Sequence, residues 1–164
     1  MPLRLLPPLL MLSAFACSRG PERFTNRKDM APLRERLRAS GGDVARVIHV
    51  RALQDLTALQ VGERYRFAIP EDGRLRVAPL PASATNNEYV HPVLVDGAPV
   101  RTAGYLIVKH LDRTVTGAMV DRDSRAYCPS QRSVQVAIDA LRTLGLARDR
   151  IAVDPVPPQC EPPR

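Results

Sequence analysis

The stretch from His91 to Leu146 decides the fold. It opens His91-Pro-Val-Leu-Val-Asp-Gly-Ala-Pro-Val-Arg-Thr-Ala-Gly104 and continues Tyr105-Leu-Ile-Val-Lys-His-Leu-Asp-Arg-Thr-Val-Thr-Gly-Ala-Met-Val120. Asp121-Arg-Asp-Ser-Arg-Ala-Tyr-Cys-Pro-Ser130 follows, then Gln131-Arg-Ser-Val-Gln-Val-Ala-Ile-Asp-Ala-Leu-Arg-Thr-Leu-Gly-Leu146. The last segment is the clearest helix in the chain. Pro129-Ser130 supplies a breaker and a cap, and Val134, Ala137, Ile138, Leu141 and Leu144 make one apolar stripe. Gly145 stands where a left-handed cap belongs, with Leu141 and Leu146 at the two positions whose apolar contact closes such a cap. Before the helix the period is two. Tyr89 to Val95, Val100 to Lys109 and Thr114 to Asp121 read as consecutive strands, turned at Asp96-Gly97 and at His110–Arg113. Gly104, inside a strand, marks a bulge or a close backbone approach.

Working outward, Glu63 to Ile69 alternates, Pro70-Glu71-Asp72-Gly73 turns, and Arg74 to Ala78 returns as a partner strand. Val44 to Leu53 reads as a strand by its β-branched content, against a competing helical reading capped by Asp43. Leu53, Leu56 and Leu59 form a helical turn ending before Gly62. Asp29 caps a short helix with Pro32 in its first turn and Leu33 and Leu37 on one side, stopped by Ser40-Gly41-Gly42. Ile151 to Val153 can add an edge strand. A single apolar stripe on a helix needs a partner, and the sheet is the one available. The expected architecture is α+β: an antiparallel β-meander packed by one C-terminal amphipathic helix, with a short N-terminal helix.

The N-terminus bears on compartment. Met1 to Arg4 is a short basic start, and Leu5 to Phe15 is apolar apart from Ser13, too short to span a bilayer. Ala14-Phe15-Ala16 is a small-x-small cleavage site followed by Cys17. An apolar run ending in Ala-Cys resembles a bacterial lipobox. The resemblance implies an acylated, palmitate-bearing Cys17 and a lipid anchor on the periplasmic face of the cell envelope; plain secretion is the alternative. The domains expected are residues 1–16 as signal peptide, 17–28 as a basic tether, 29–154 as one domain, and 155–164 as a tail with five prolines. The formal charge is +7, and loss of Arg4 with the signal lowers it by one. The basic residues between Arg19 and Arg38 suit anionic lipid headgroups or a solvated tether. Nucleic acid is not expected, because export argues against it and the segment, with Phe24 as its one aromatic residue, has no aromatic interleaving for base stacking. In an oxidising compartment, Cys128 and Cys160 are expected to form a disulfide that pins the tail, worth about 3–4 kcal/mol by loop entropy. A reactive Cys128 thiol is the competing reading.

Motifs with dedicated chemistry are few. There is no Gly-rich phosphate loop, no Gly-x-Ser-x-Gly elbow and no His/Cys pair at metal spacing, so neither cofactor nor metal is expected. His49 reads as a strand residue and His110 as a solvated turn residue. Asp121 and Asp123 share one face if the strand continues, which would suit an acid/base pair or a cation, or simply an acidic turn among Arg113, Arg122 and Arg125.

At His91 the residues take on a pattern. His91 to Gly104, with Ser124-Arg125-Ala126-Tyr127-Cys128-Pro129 and the helix after Ser130, resembles a segment of plant calmodulin-binding IQ-motif proteins. It is also similar to C-terminal domains of bacterial proteins, some of them toxin-like, that carry Ser-Gly-His-Tyr-x-Pro. The likeness covers residues 62–147 or so. The Gly and His of that motif are Arg125 and Ala126 here, and no IQ motif is present. The resemblance implies a shared site near His91, Ser124, Arg125 and Tyr127, with Pro129 retained. Two functions follow as expectations. The first is an exported, lipid-anchored binding or interaction module, in an immunity or envelope-assembly role, with a protein partner and with Arg122, Arg125 and Arg132 around the helix N-terminus favouring anions. The second is a small extracytoplasmic enzyme using His91 with Asp123, Ser124 or Tyr127.

Overall fold

A computed structural model describes residues 20–84 and 88–155. One six-stranded sheet is built from β1 (Ile48–His49), β2 (Tyr65–Pro70), β3 (Arg76–Val77), β4 (Val100–Leu111), β5 (Thr114–Val120) and β6 (Ile151–Val153), in the order β1-β3-β2-β4-β5-β6. Every pairing is antiparallel except β5 with β6, which is parallel because α2 (Val134–Thr143) crosses over between them. A short helix, α1 (Met30–Ala39), precedes the sheet. The α+β architecture expected from the periodicities is the one observed.

Every residue of β2 is buried, so the alternation there separates two cores rather than core from solvent. Tyr65, Phe67 and Ile69 join Leu106, Val108 and Val120 under the α2 stripe of Val134, Ala137, Ile138 and Leu141. Ala68 belongs to a second core with Ala103, Val100, Leu37, Val93, Leu94 and Tyr127. The α2 cap forms as its residues dictate. The Ser130 hydroxyl accepts from Ser133 N, one 3₁₀ turn (Gln131–Ser133) leads in, and Gly145 at φ 105° lets Leu146 N reach Leu141 O at 3.0 Å.

Four local expectations are corrected. Tyr89 to Val95 is not a strand: His91–Val95 is a 3₁₀ turn with all five residues buried, closed by left-handed Asp96. Pro92 cannot donate to a ladder and suits a helical first turn, and the unbroken apolar run lies flat on the second core instead of alternating. Of Val44 to Leu53 only Ile48–His49 pairs as a strand, because Asp43 accepts from Ala45 N and turns Val44–Arg46 into a 3₁₀ turn. The turn expected at His110–Arg113 shrinks to Asp112 and Arg113, both left-handed at φ 49° and 62°, the pair that matches strand twist in a two-residue hairpin. His110 consequently lies on β4, its Nε2 2.9 Å from Leu59 O, and is not a solvated turn residue.

Gly104 marks a close approach: a Cβ there would sit 2.2 Å from Asp121 O. The described part of the basic N-terminal segment runs along the domain. Phe24 bridges Val100 through two backbone hydrogen bonds, and Arg27 N donates to Ala126 O. This lays Lys28 and α1 beside the loop after β5.

Candidate functional site

The site is built around one buried carboxylate. Asp121, just past β5, accepts from Tyr105 N at 2.7 Å and Asp123 N at 2.9 Å through Oδ1, and from Arg64 at 2.7 Å through Oδ2. Its own N donates to Tyr105 O. These bonds lock the start of the 121–130 loop to the middle of β4. Asp121 therefore acts as a structural acceptor and not as one half of an acid/base pair with Asp123. Among the described residues no group of three His, Cys, Asp or Glu is placed to hold a metal ion.

His91 stands at the start of the 3₁₀ turn, 6% exposed. Its Nε2 donates to Gly104 O at 2.8 Å, which leaves Nδ1 as the ring's acceptor. The ring meets Tyr105 edge-on, with centroids 5.3 Å apart and planes at 82°. Burial lowers its pKa to about 4, against the opposing pull of the Gly104 hydrogen bond and with help from the Arg66 and Arg64 charges. The imidazole is neutral at neutral pH. The Tyr105 ring is in turn flanked by cations: the Arg64 guanidinium lies 4.1 Å from its centroid and that of Arg66 5.7 Å.

A cavity of about 590 Å³ opens at this point. The N-terminal segment and α1 contribute Lys28, Leu33 and Arg36. Arg66 comes from β2, Val90, His91 and Pro92 from the 3₁₀ turn, Tyr105 from β4, and Asp123, Arg125 and Ala126 from the loop. Among the described residues, four cations and one carboxylate line the cavity. Arg66 is 5% exposed, so its charge is little screened by solvent.

The structure brings His91, Asp123 and Arg125 to one cavity, and leaves Ser124 and Tyr127 off its wall. Ser124 and Tyr127 are each 1% exposed. The Tyr127 hydroxyl donates to Ala98 O at 2.9 Å, and burial raises its pKa, so it stays a protonated core residue. The helix N-terminus also falls outside the cavity. The Ser130 hydroxyl donates to the Glu22 carboxylate, so this chain supplies its own anion there. Cys128 is disulfide-bonded; the expected partner Cys160, the lipidation candidate Cys17 and the tail from residue 156 lie outside the described residues. Sequence reasoning missed Lys28, Arg36, Arg66 and Tyr105. One signal was available: Arg64 and Arg66 alternate with Tyr65 and Phe67, which puts two cations on the sheet face opposite α2.

No known protein family, no characterised protein and no solved structure matches this chain.

Proposed function

We propose that this protein is an exported, lipid-anchored binding module whose cavity takes an anionic ligand. One observation carries the reading: Lys28, Arg36, Arg66 and Arg125 converge on a cavity that, among the described residues, holds a single carboxylate, Asp123, and a neutral histidine. Such an arrangement raises the local concentration of anions and holds them once bound. Export and anchoring at Cys17 rest on the signal-like start and the lipobox resemblance. The described residues contain no helix long and apolar enough to cross a membrane. The resemblance to Ser-Gly-His-Tyr-x-Pro domains supports a site at the same place, because Ala126, which stands where the motif has histidine, lines the cavity.

The enzyme reading is weaker. Two of its four groups, Ser124 and Tyr127, are off the cavity wall, and a histidine with a pKa of about 4 is a poor base at neutral pH. Calorimetric titration of the mature chain with methyl phosphate and with acetate tests the proposal. Binding should weaken about tenfold or more in the Arg36→Gln/Arg125→Gln double variant, whose positions are exposed, and should weaken with added salt. Undiminished binding in the double variant, or no binding of either anion by the parent, would overturn it.

A further inference from the structure

The α2 helix covers one face of the sheet from β2 to β6; among the described residues the opposite face is covered only in part. There α1 and the His91–Val95 turn bury Ala68, Val100 and Ala103, and their cover ends at Tyr105. Beyond it on the same face of β4 comes Ile107, which pairs with Met119 of β5, and Met119 pairs with Ala152 of β6. Ile107 and Met119 are partly buried and Ala152 is exposed. A sheet face left to water normally carries polar side chains. Here an apolar row crosses three strands, about 10 Å at the usual strand spacing, and forms the apolar part of a groove of about 390 Å³ whose rim carries Lys109, Thr116, Asp149 and Arg150. Gly117 keeps its floor low, since a Cβ there would come within 3.2 Å of Arg150 O. The row begins one same-face step, about 7 Å, from Tyr105, which is a wall of the cation-lined cavity. Arg64, ion-paired with Asp121, lies along the Tyr105 ring at the junction.

We propose that the two features form one site for a free, single-chain anionic amphiphile. The acidic head, phosphate or carboxylate, sits among Arg36, Arg66 and Arg125, and the chain passes Tyr105 onto Ile107 and Met119. This rests on the anion-binding reading above and adds the chemical class of the ligand. Charge complementarity fixes the head at the cavity, and continuity of the apolar row fixes the direction of the chain. Methionine suits this place because its unbranched thioether adapts to a chain with no fixed shape.

The test is calorimetric titration of the mature chain with methyl, butyl, octyl and decyl phosphate below their aggregation concentrations, with acetate to decanoate in parallel. Each added methylene should tighten binding about two- to fourfold until the row is covered. Met119→Gln and Ile107→Thr should flatten that gain and leave the methyl phosphate affinity unchanged. Arg36→Gln/Arg125→Gln should weaken every member of the series alike. Equal binding of methyl and decyl phosphate would overturn the amphiphile, and a chain-length gain that survives both Met119→Gln and Ile107→Thr would overturn the joined site, either outcome leaving the anion site standing. Failure of every anion would remove both readings. Adsorption to anionic phospholipid vesicles with no binding of monomeric alkyl phosphates would overturn the proposal in favour of a membrane surface.

Discussion

Gly104→Ala should be among the most disruptive single-methyl additions in this protein, and its cost can be worked from the structure. The new Cβ would lie 2.2 Å from Asp121 O, 2.8 Å from Asp121 C and 2.9 Å from Arg122 Cα. All three are backbone atoms, so no side chain can swing away. Relief requires Asp121 to move by about 1 Å, and that loosens its bonds to Tyr105 N, Asp123 N and Arg64. Three weakened hydrogen bonds to one carboxylate, two from backbone N–H and one from a guanidinium, amount to about 3 kcal/mol. Overpacking without relief costs about the same. Gly104 does not use the left-handed region, so alanine also gains about 0.5–1 kcal/mol through the unfolded state. The net destabilisation is about 2–3 kcal/mol. With a urea m-value of about 1–3 kcal/mol/M, the unfolding midpoint should fall by about 1–2 M. Gly117→Ala is the control, because its Cβ meets a single carbonyl at 3.2 Å and should cost about 1 kcal/mol or less. A Gly104→Ala midpoint equal to the parent's, or no lower than that of Gly117→Ala, would refute the close-approach reasoning and with it the Asp121 anchor of the site.

Other consequences can be checked separately. His91 should titrate near pH 4 by NMR. Its folded pKa lies below the unfolded value, so the unfolded chain binds more protons between those limits, and the neutral ring's contribution is present above about pH 6.5 and lost as pH falls toward about 4. Urea midpoints should therefore drop across that window by the equivalent of about 2–3 kcal/mol, an effect largely absent in His91→Gln; a His91 titration near 6.5 would contradict the burial argument. Arg113→Gly should raise stability by about 0.5–1 kcal/mol, because arginine is held at φ 62° in the hairpin turn; a lower melting temperature would argue that the side chain contributes more than the strain costs. Ser130→Ala should cost about 1 kcal/mol by removing the cap on Ser133 N, read as a lower denaturation midpoint. Mass spectrometry of membrane-fraction protein should find an acylated Cys17, and Cys17→Ala should release the chain to the soluble fraction; an unmodified Cys17 in the membrane fraction would remove the anchor.

What the chain made legible was local. The β2–β3 hairpin, the α2 stripe and its Gly145 cap each lie within a few residues of sequence, where propensity, turn chemistry and period agree. The misreadings came where a local signal had two meanings. Pro92 inside an apolar run fits a 3₁₀ turn as well as a strand start, and only the burial of all five residues from His91 to Val95 decides between them. Asp121 and Asp123 fit an acid/base pair by spacing, but Asp121 is consumed by backbone donors that sequence cannot place. The cavity was half legible. His91, Asp123 and Arg125 lie in the segments singled out, whereas Lys28, Arg36 and Arg66 arrive from the N-terminal segment, α1 and β2, and their convergence is a property of topology. Strand parity at Arg64 and Arg66 was the one advance signal.

Whether this basic cavity holds an anion can be decided by an amide-resolved NMR titration of the mature chain with methyl phosphate. Saturable shifts are expected at Arg36, Arg66, Val90, His91, Tyr105 and Arg125, suppressed by salt and lost in Arg36→Gln/Arg125→Gln. Shifts centred instead on Ser130 to Ser133 at the start of α2, or no saturable shift at all, would contradict anion binding in the cavity.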